Sequence, residues 1–366
     1  MRFRHNDSSV SGEAKKRPLR AERWLSRGGG FAAALVLWIG ASLAVWPQQA
    51  PPQRPQPQPR GEEAGDVVAL TAELVVLDVT VVDRRNHVVA DLEKDRFLVY
   101  ENGVRQEIAF FSREETPVSL GLVLDTSGSM RRKLTRVIAA AKSLMRQSHP
   151  EDEYFLVAFK GEAELLEDFT QDVALIHDAL DNLIASGQTA LLDAIYLSVE
   201  HAQKYGKHRR KAIVVITDGE ERNSYYTREQ VLERLRGSDV QVYTVGFTEG
   251  LGEAAIFRQT ESRRLSGQEK KARKLLEDLA RESGGRAFFP QSLDELDTIA
   301  STIARELRTQ YAIGYYPSSP ERDGSWRTVR VEVLSDKERG PLTARTRAGY
   351  YALKRGASPP TKSPSR

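Results

Sequence analysis

The chain has 366 residues, 40% apolar and 29% charged, which is enough to fold into two or three domains with buried cores. Its net charge of only +3 gives no global field of the kind that nucleic-acid-binding proteins use, so we expect no nucleic-acid partner. The absence of cysteine excludes disulfides, thiolate metal sites and cysteine nucleophiles.

The N-terminal segment has the pattern of an export signal. Residues 1–28 are basic, residues 31–46 carry no charge, and a proline- and glutamine-rich run follows. The apolar run is near the lower length limit for a membrane span, so cleavage and retention as a single-pass anchor both stay open. The basic flank predicts that everything after Pro47 lies on the extracytoplasmic side, in the cell envelope. The predicted divisions are a basic segment (1–28), a signal or anchor helix (29–46), a linker (47–66) and a disordered C-terminal tail (353–366).

Two segments typical of β-structure, 67–115 and 313–352, bracket the middle of the chain. The first contains a hairpin at 96–111, whose Asn102-Gly103 pair tolerates the positive φ angles of a type I′ turn. Each segment is too short to bury both faces of a sheet by itself. We therefore predict that they pack together into one β-sandwich-like domain.

Strands and helices alternate between residues 117 and 312. The apolar segment 211–217 has no polar alternation after its first residue, which is typical of a central parallel strand buried on both faces. The alternation predicts an α/β domain with a doubly wound, mostly parallel sheet. A charged loop is expected at 249–274. The predicted elements are strands at 118–124, 154–160, 163–169, 211–217 and 240–247, and helices at 133–147, 172–184, 190–205, 227–237, 270–283 and 292–309.

Polar side chains follow the strands at the edge where ligands bind in open α/β sheets. Asp125 ends the first strand and is followed by Ser127 and Ser129, while Asp218 ends the central strand and Thr189 lies in a loop between them. If these loops converge, every side chain in the set offers oxygen. Oxygen ligands with few carboxylates and several hydroxyls suit Mg²⁺ or Mn²⁺ in octahedral geometry.

These residues also carry a family resemblance. Asp125-Thr126-Ser127-Gly128-Ser129 resembles the Asp-x-Ser-x-Ser signature of von Willebrand factor type A (VWFA) domains, and Gln188-Thr189-Ala190 and Thr217-Asp218-Gly219 resemble that family's threonine and aspartate elements. The resemblance implies a Rossmann-like VWFA fold with a metal-ion-dependent adhesion site, whose open coordination position accepts an acidic side chain of a protein partner. The β flanks are similar to a bacterial VWFA-related family through "ENG", "YAIGYYP" and a final "R-x-GY" strand. The metal ligands that the resemblance implies are Asp125, Ser127, Ser129, Thr189 and Asp218.

Two other functions remain as alternatives. A metal-dependent phosphoryl hydrolase with an aspartyl nucleophile typically has a second carboxylate two residues after the nucleophile. In this chain the residue two positions after Asp125 is Ser127. His177 and His201 fall within predicted helices, so we expect no general base at the site and no enzyme activity. The third possibility is a scaffold whose metal site is vestigial. Glu220 and Glu221 are interpreted as solvent-exposed charges and not as ligands.

Overall fold

The structure is a computed structural model that describes residues 4–5 and most of the chain from Glu73 onward. The predicted signal or anchor helix, the linker and the C-terminal tail lie outside the described residues. Within the described part of the chain, no helix is both long enough and apolar enough to cross a bilayer. The described ranges are 4–5, 73–219, 221–247, 266–319, 321–335 and 339–352.

Strands and helices alternate in the middle of the chain and strands alone flank them. The strands are β1 (Arg4–His5), β2 (Val75–Val82), β3 (Phe97–Glu101), β4 (Val104–Gln106), β5 (Ile108–Ser112), β6 (Val118–Asp125), β7 (Glu153–Phe159), β8 (Ala163–Thr170), β9 (Arg210–Thr217), β10 (Val240–Gly246), β11 (Ala287–Phe288), β12 (Tyr311–Tyr315), β13 (Trp326–Val333), β14 (Thr343–Arg345) and β15 (Gly349–Tyr351). The helices are α1 (Leu134–Arg146), α2 (Val173–Asp181), α3 (Leu191–Tyr205), α4 (Arg228–Arg236), α5 (Gly267–Ser283) and α6 (Glu295–Arg308).

The central sheet has the order β1-β8-β7-β6-β9-β10-β11. All its neighbouring strands are parallel except β7 and β8, which are antiparallel. Every residue of β6 is buried, and alternate side chains face opposite helix layers. Leu122 packs with α1, α2 and α6 on one face, while Val123 packs with α3, α4 and α5 on the other. This arrangement confirms the predicted doubly wound fold.

The flanking strands form two four-stranded antiparallel sheets, β14-β2-β12-β5 and β15-β13-β3-β4. Each sheet draws strands from both flanks: Val79 of β2 is opposite Tyr311 of β12, and Val99 of β3 is opposite Val331 of β13. The inner faces share one apolar cluster that contains all four of these residues. The predicted β-sandwich-like domain built from the two flanks is therefore confirmed.

A buried carboxylate fastens the two flanks to each other inside this β-sandwich-like domain. Glu101 of β3 is only 3% exposed, and it accepts hydrogen bonds from Tyr315 at 2.8 Å and from Tyr350 at 2.7 Å. Arg327 of β13 donates to its other oxygen at 2.9 Å. All three donors come from the C-terminal flank, so the charge that the N-terminal flank buries is compensated only when both flanks are in place.

The hairpin differs from its prediction in one respect. Asn102 and Gly103 have φ angles of 49° and 82°, as a type I′ turn requires. The second arm, however, pairs with β3 only as far as Gln106, and β5 then pairs with β12 in the other sheet. The Gln106 side chain accepts a hydrogen bond from Ser318 N at 2.9 Å and donates to Ser318 Oγ at 3.0 Å. This contact with the C-terminal flank fixes the position of Gln106, after which the chain leaves one sheet and enters the other.

The predicted charged loop at 249–274 is partly wrong, because its last eight residues form the first two turns of α5. A capping box starts the helix: Ser266 Oγ accepts from Glu269 N at 3.2 Å, and Ser266 N donates to Glu269 Oε2 at 2.6 Å. The rest of the expected loop, up to residue 265, lies outside the described residues. The predicted domain boundary at residue 312 falls inside β12.

The β-sandwich-like domain contacts the amino-terminal end of the central sheet. Arg210, the first residue of β9, donates from Nε to Asp78 of β2 at 3.1 Å, and its Nη2 donates to the Gln310 carbonyl at 2.8 Å. Glu306 of α6, fully buried, lies 2.9 Å from Arg286 and 2.7 Å from Arg345 of β14. These contacts leave the opposite, carboxyl-terminal edge of the sheet free for the candidate site.

Candidate metal centre

Asp125 is the last residue of β6 and is fully buried. Its two oxygens accept separate hydrogen bonds, Oδ1 from Ser127 N at 2.8 Å and Oδ2 from the Thr217 hydroxyl at 2.7 Å. Thr217 ends the neighbouring strand β9 and also accepts a hydrogen bond from Gly219 N at 2.9 Å. The ends of two parallel strands therefore fix the orientation of this carboxylate.

A short 3₁₀ turn, Gly128–Met130, follows Asp125, with Ser127 as its N-cap residue and Ser129 inside it. The hydroxyls of Ser127 and Ser129 lie 3.0 Å apart, so they point to a common region. Ser127 is buried and Ser129 is exposed, which places the pair at the boundary between the sheet and solvent. Alternating hydroxyls in the sequence thus become adjacent hydroxyls in space.

The loops that carry Thr189 and Asp218 are tied to this turn through the main chain. Ser186 N donates to the Thr126 carbonyl at 2.8 Å, and Gly128 N donates to the Gly187 carbonyl at 3.2 Å. The loop after Asp218 is tied in turn to Thr189, whose carbonyl accepts from Arg222 N at 3.1 Å. The structure therefore brings together the three loops that hold the five predicted site residues.

Two carboxylates share this buried space. Burial and the neighbouring Asp218 carboxylate together raise the pKa of Asp125 to about 6. Asp218 is 4% exposed, and its Oδ1 is buried without a hydrogen-bond partner among the described residues. Its Oδ2 lies 3.5 Å from Nζ of Lys133, which is 12% exposed and also lies over the Phe247 ring. The sequence alone did not single out Lys133, which is 85 residues away from its partner in the chain.

The donor set fits a hard divalent cation. The buried Oδ1 of Asp218 has no hydrogen-bond partner among the described residues, and the pKa of Asp125 is raised. Both observations indicate that a cation would stabilise this pair of carboxylates. The hydroxyls of Ser127, Ser129 and Thr189 supply neutral oxygens of the kind that Mg²⁺ accepts. Across the described ranges, no three His, Asp or Glu side chains converge to hold a metal ion, so a cation here depends on these hydroxyls as well as on the carboxylates.

Glu221 has a structural role that corrects its interpretation as a solvent-exposed charge. It is half-buried, and its Oε2 accepts hydrogen bonds from Leu192 N at 2.9 Å and from the Ser224 hydroxyl at 2.8 Å. Leu192 is in the first turn of α3, whose N-cap residue, Ala190, has no capping side chain. Glu221 therefore caps α3 from another loop and holds the Thr189 and Asp218 loops together. Glu220 lies outside the described residues.

Tyrosine and histidine side chains lie in the loop after Asp218 and on the neighbouring helices. Tyr225, in the loop after Asp218, is 73% exposed and packs edge-on against Tyr226, which stacks on Tyr196 with ring centroids 3.8 Å apart. His177 lies within α2 and His201 within α3, and His201 Nε2 is 2.9 Å from Asp168 Oδ1. Both histidines are thus on helices, as the sequence predicts, and not in the loops that form the site.

The chain is similar to known proteins over the same region. Residues 120–221 match the von Willebrand factor type A domain, a span that contains all five predicted site residues. Uncharacterized protein sll0103 of Synechocystis sp. is 32% identical over 135 residues, covering 36% of this chain and 32% of that protein, so the match spans about a third of this relative's length. A UPF0353 protein of Mycolicibacterium gilvum is 24% identical over 242 residues, covering 60% of this chain and 68% of that protein.

Two solved structures are similar to this chain with TM-scores below 0.5. A von Willebrand factor type A protein from Catenulispora acidiphila is similar with a TM-score of 0.43 and 14% identity, covering 76% of this chain and 74% of that one. The vWF domain of the type V pili tip protein Mfa5 from Porphyromonas gingivalis is similar with a TM-score of 0.41 and 13% identity, covering 52% of this chain and 95% of that one.

Proposed function

We propose that this chain, which contains a von Willebrand factor type A domain, is a metal-ion-dependent protein-binding module of the adhesion type. Mg²⁺ or Mn²⁺ is held, directly or through water, by two carboxylates and three hydroxyls, and an acidic side chain of a protein partner completes the coordination. The observation that carries the proposal is the buried Oδ1 of Asp218, which has no hydrogen-bond partner among the described residues and lies beside the fully buried Asp125. The proposed ligands are Asp125, Ser127, Ser129, Thr189 and Asp218.

Binding fits this arrangement better than phosphoryl hydrolysis does. Asp125 is fully buried, so a small ion can reach its carboxylate more readily than a phosphoryl substrate can. The residue two positions after it is Ser127, which cannot take the acid–base role of a second carboxylate. A scaffold with a vestigial site is the remaining alternative, and it predicts partner binding that does not respond to chelators.

We further propose that the domain acts on the extracytoplasmic side of the cell envelope. The basic segment followed by the uncharged run 31–46 supports this location, either as a membrane-anchored or as a secreted protein. The partner is then a protein with access to the same compartment.

Calorimetric titration of Mg²⁺ tests the metal site directly. Asp125→Ala should abolish measurable Mg²⁺ and Mn²⁺ binding, because it removes one of only two anionic ligands. Asp178→Ala, an exposed carboxylate on α2, is the matched control and should bind the metal as the wild type does. Circular dichroism verifies that both variants are folded. Equal affinity in Asp125→Ala and the wild type would refute the ligand assignment.

A second experiment separates binding from catalysis. The metal-loaded chain is assayed against phosphoester, ester and peptide substrates, with Asp125→Ala as the comparison. We expect no turnover above that of the variant. Turnover that the substitution removes would make the protein an enzyme and would contradict the adhesion proposal.

A further inference from the structure

Six exposed cations lie on segments next to the candidate metal centre. Two follow the 3₁₀ turn that carries Ser129, and the other four line a cavity that also reaches Asp218. All six are exposed. We call this set the cationic rim: Arg131, Arg132, Arg222, Arg228, Lys271 and Lys274.

Three of the acidic side chains near the cationic rim are engaged by neighbouring groups. Glu221 caps α3 and Glu269 belongs to the capping box of α5, so both are committed to main-chain N–H groups. Asp278 is buried and pairs with Arg228 and Arg281. Among the described residues, Lys271 and Lys274 form no ion pair. Around Lys271 and Lys274 the described side chains therefore present positive charge, although the net charge of the whole chain is small.

A cavity of about 540 Å³ opens beside Asp218, between the Asp218 loop and α5. Leu192 and Leu275 contribute apolar surface to it, while Lys271 and Lys274 stand on its α5 side. Its volume accommodates one or two large apolar side chains. A partner residue adjacent to a carboxylate at the metal can therefore enter the cavity while its acidic neighbours meet the lysines.

We propose that the partner presents an acidic polypeptide segment, in which the carboxylate at the metal is adjacent to an apolar residue and is flanked by further acids. This inference rests on the proposed function and adds to it the chemistry of the partner. Charge complementarity with the cationic rim specifies the flanking acids, and the leucine-lined cavity specifies the apolar neighbour. The apolar lining favours a polypeptide over a nucleic acid, whose phosphates would use only the cations.

The test is a titration of the full chain, in mild detergent and with Mg²⁺, against a fluorescent peptide that contains Glu-Glu-Asp-Leu-Glu-Glu. The rim variant is Lys271→Glu with Lys274→Glu. Its matched control, Arg85→Glu with Lys94→Glu, reverses two exposed cations on the β-sandwich-like domain. We expect the rim variant to lose at least about tenfold in peptide affinity, because rim charges steer and retain an oppositely charged partner, while the control binds as the wild type does. The Mg²⁺ affinity of the rim variant should not fall.

A second peptide, with all four flanking glutamates replaced by glutamine, isolates the contribution of the rim. It should bind the wild type about tenfold more weakly than the acidic peptide and should respond little to the lysine reversals. Replacing the leucine by serine should weaken binding to the wild type and to the rim variant by similar factors.

The outcomes distinguish this inference from the proposed function. Metal-dependent peptide binding that ignores the lysine reversals overturns the inference and leaves the proposed function standing. Absence of binding by the acidic peptide overturns the inference, and if Asp125→Ala also leaves Mg²⁺ affinity unchanged, the proposed function fails too. An oligonucleotide that binds more tightly than the peptide through the same lysines would assign the rim to nucleic acid and overturn the inference.

Discussion

Replacing Asp125 by asparagine should change how the stability of the protein responds to pH when no divalent cation is available. The carboxylate is fully buried next to Asp218, and these two causes raise its pKa from 3.8 to about 6. Asparagine has almost the same shape, its Oδ1 can accept from Ser127 N and its Nδ2 can donate to Thr217 Oγ1, but it carries no charge. The substitution therefore removes the charge and preserves most of the packing.

The expected magnitude follows from linkage between protonation and folding. Between pH 4 and pH 6 the folded state holds the Asp125 proton more tightly than the unfolded state, so the free energy of unfolding falls as pH rises through this window. A pKa difference of about 2 units at 1.36 kcal/mol per unit gives a loss of about 3 kcal/mol by pH 7. In EDTA at pH 7, Asp125→Asn should therefore be more stable than the wild type by up to about 3 kcal/mol.

Urea unfolding followed by circular dichroism, in EDTA from pH 4.5 to pH 7.5, measures this difference. Burial also raises the pKa of Asp152, but that contribution is common to both proteins and cancels when they are compared. Asp178→Asn, at an exposed position, is the control and should follow the wild type. Added Mg²⁺ should stabilise the wild type at pH 7 and leave Asp125→Asn unchanged. Parallel pH profiles for the wild type and Asp125→Asn would refute the electrostatic reasoning.

Three further predictions address the counter-ion, the β-sandwich-like domain and export. Lys133→Met removes the ammonium beside Asp218, so calorimetry should show Mg²⁺ affinity rising by about tenfold, and unchanged affinity would contradict this role. Arg327→Met leaves the buried Glu101 without its cation and should lower the free energy of unfolding by about 3–5 kcal/mol, whereas a loss below about 1 kcal/mol would disprove the buried pairing. Protease added to intact spheroplasts should cut the region after Pro47, and complete protection of that region would exclude export.

The strands and helices of the α/β domain could be predicted because local patterns specify them. An apolar run with no polar alternation, as in β9, requires burial on both faces, and only a central strand of a covered sheet provides that. The Asn102-Gly103 turn could likewise be predicted from the sequence, since few residue pairs accept two positive φ angles. The start of α5 was also present in the sequence, as Ser266 and Glu269 at capping-box spacing, but the surrounding charges suggested a loop.

Features that depend on distant contacts could not be predicted in this way. The change of sheet after Gln106 depends on Ser318, more than two hundred residues later in the chain. The cap that Glu221 provides for α3 requires two loops to meet. The only indication of it in the sequence is that Ala190, at the N-cap position, has no capping side chain. Lys133 reaches Asp218 from the N-cap position of α1, a geometry that spacing alone does not give.

The placement of the β-sandwich-like domain bears on how the site can be used. Its contacts with the α/β domain lie at the amino-terminal end of the central sheet, where Arg210 binds Asp78, while Asp125 and Asp218 lie at the carboxyl-terminal end. A large partner can therefore approach the candidate metal centre without meeting the second domain. The contacts between the domains are buried and charged, as at Glu306, so separating them would leave uncompensated charges. Movement of the domains relative to each other is therefore unfavourable, and the loops of the candidate site stay on the side opposite the β-sandwich-like domain.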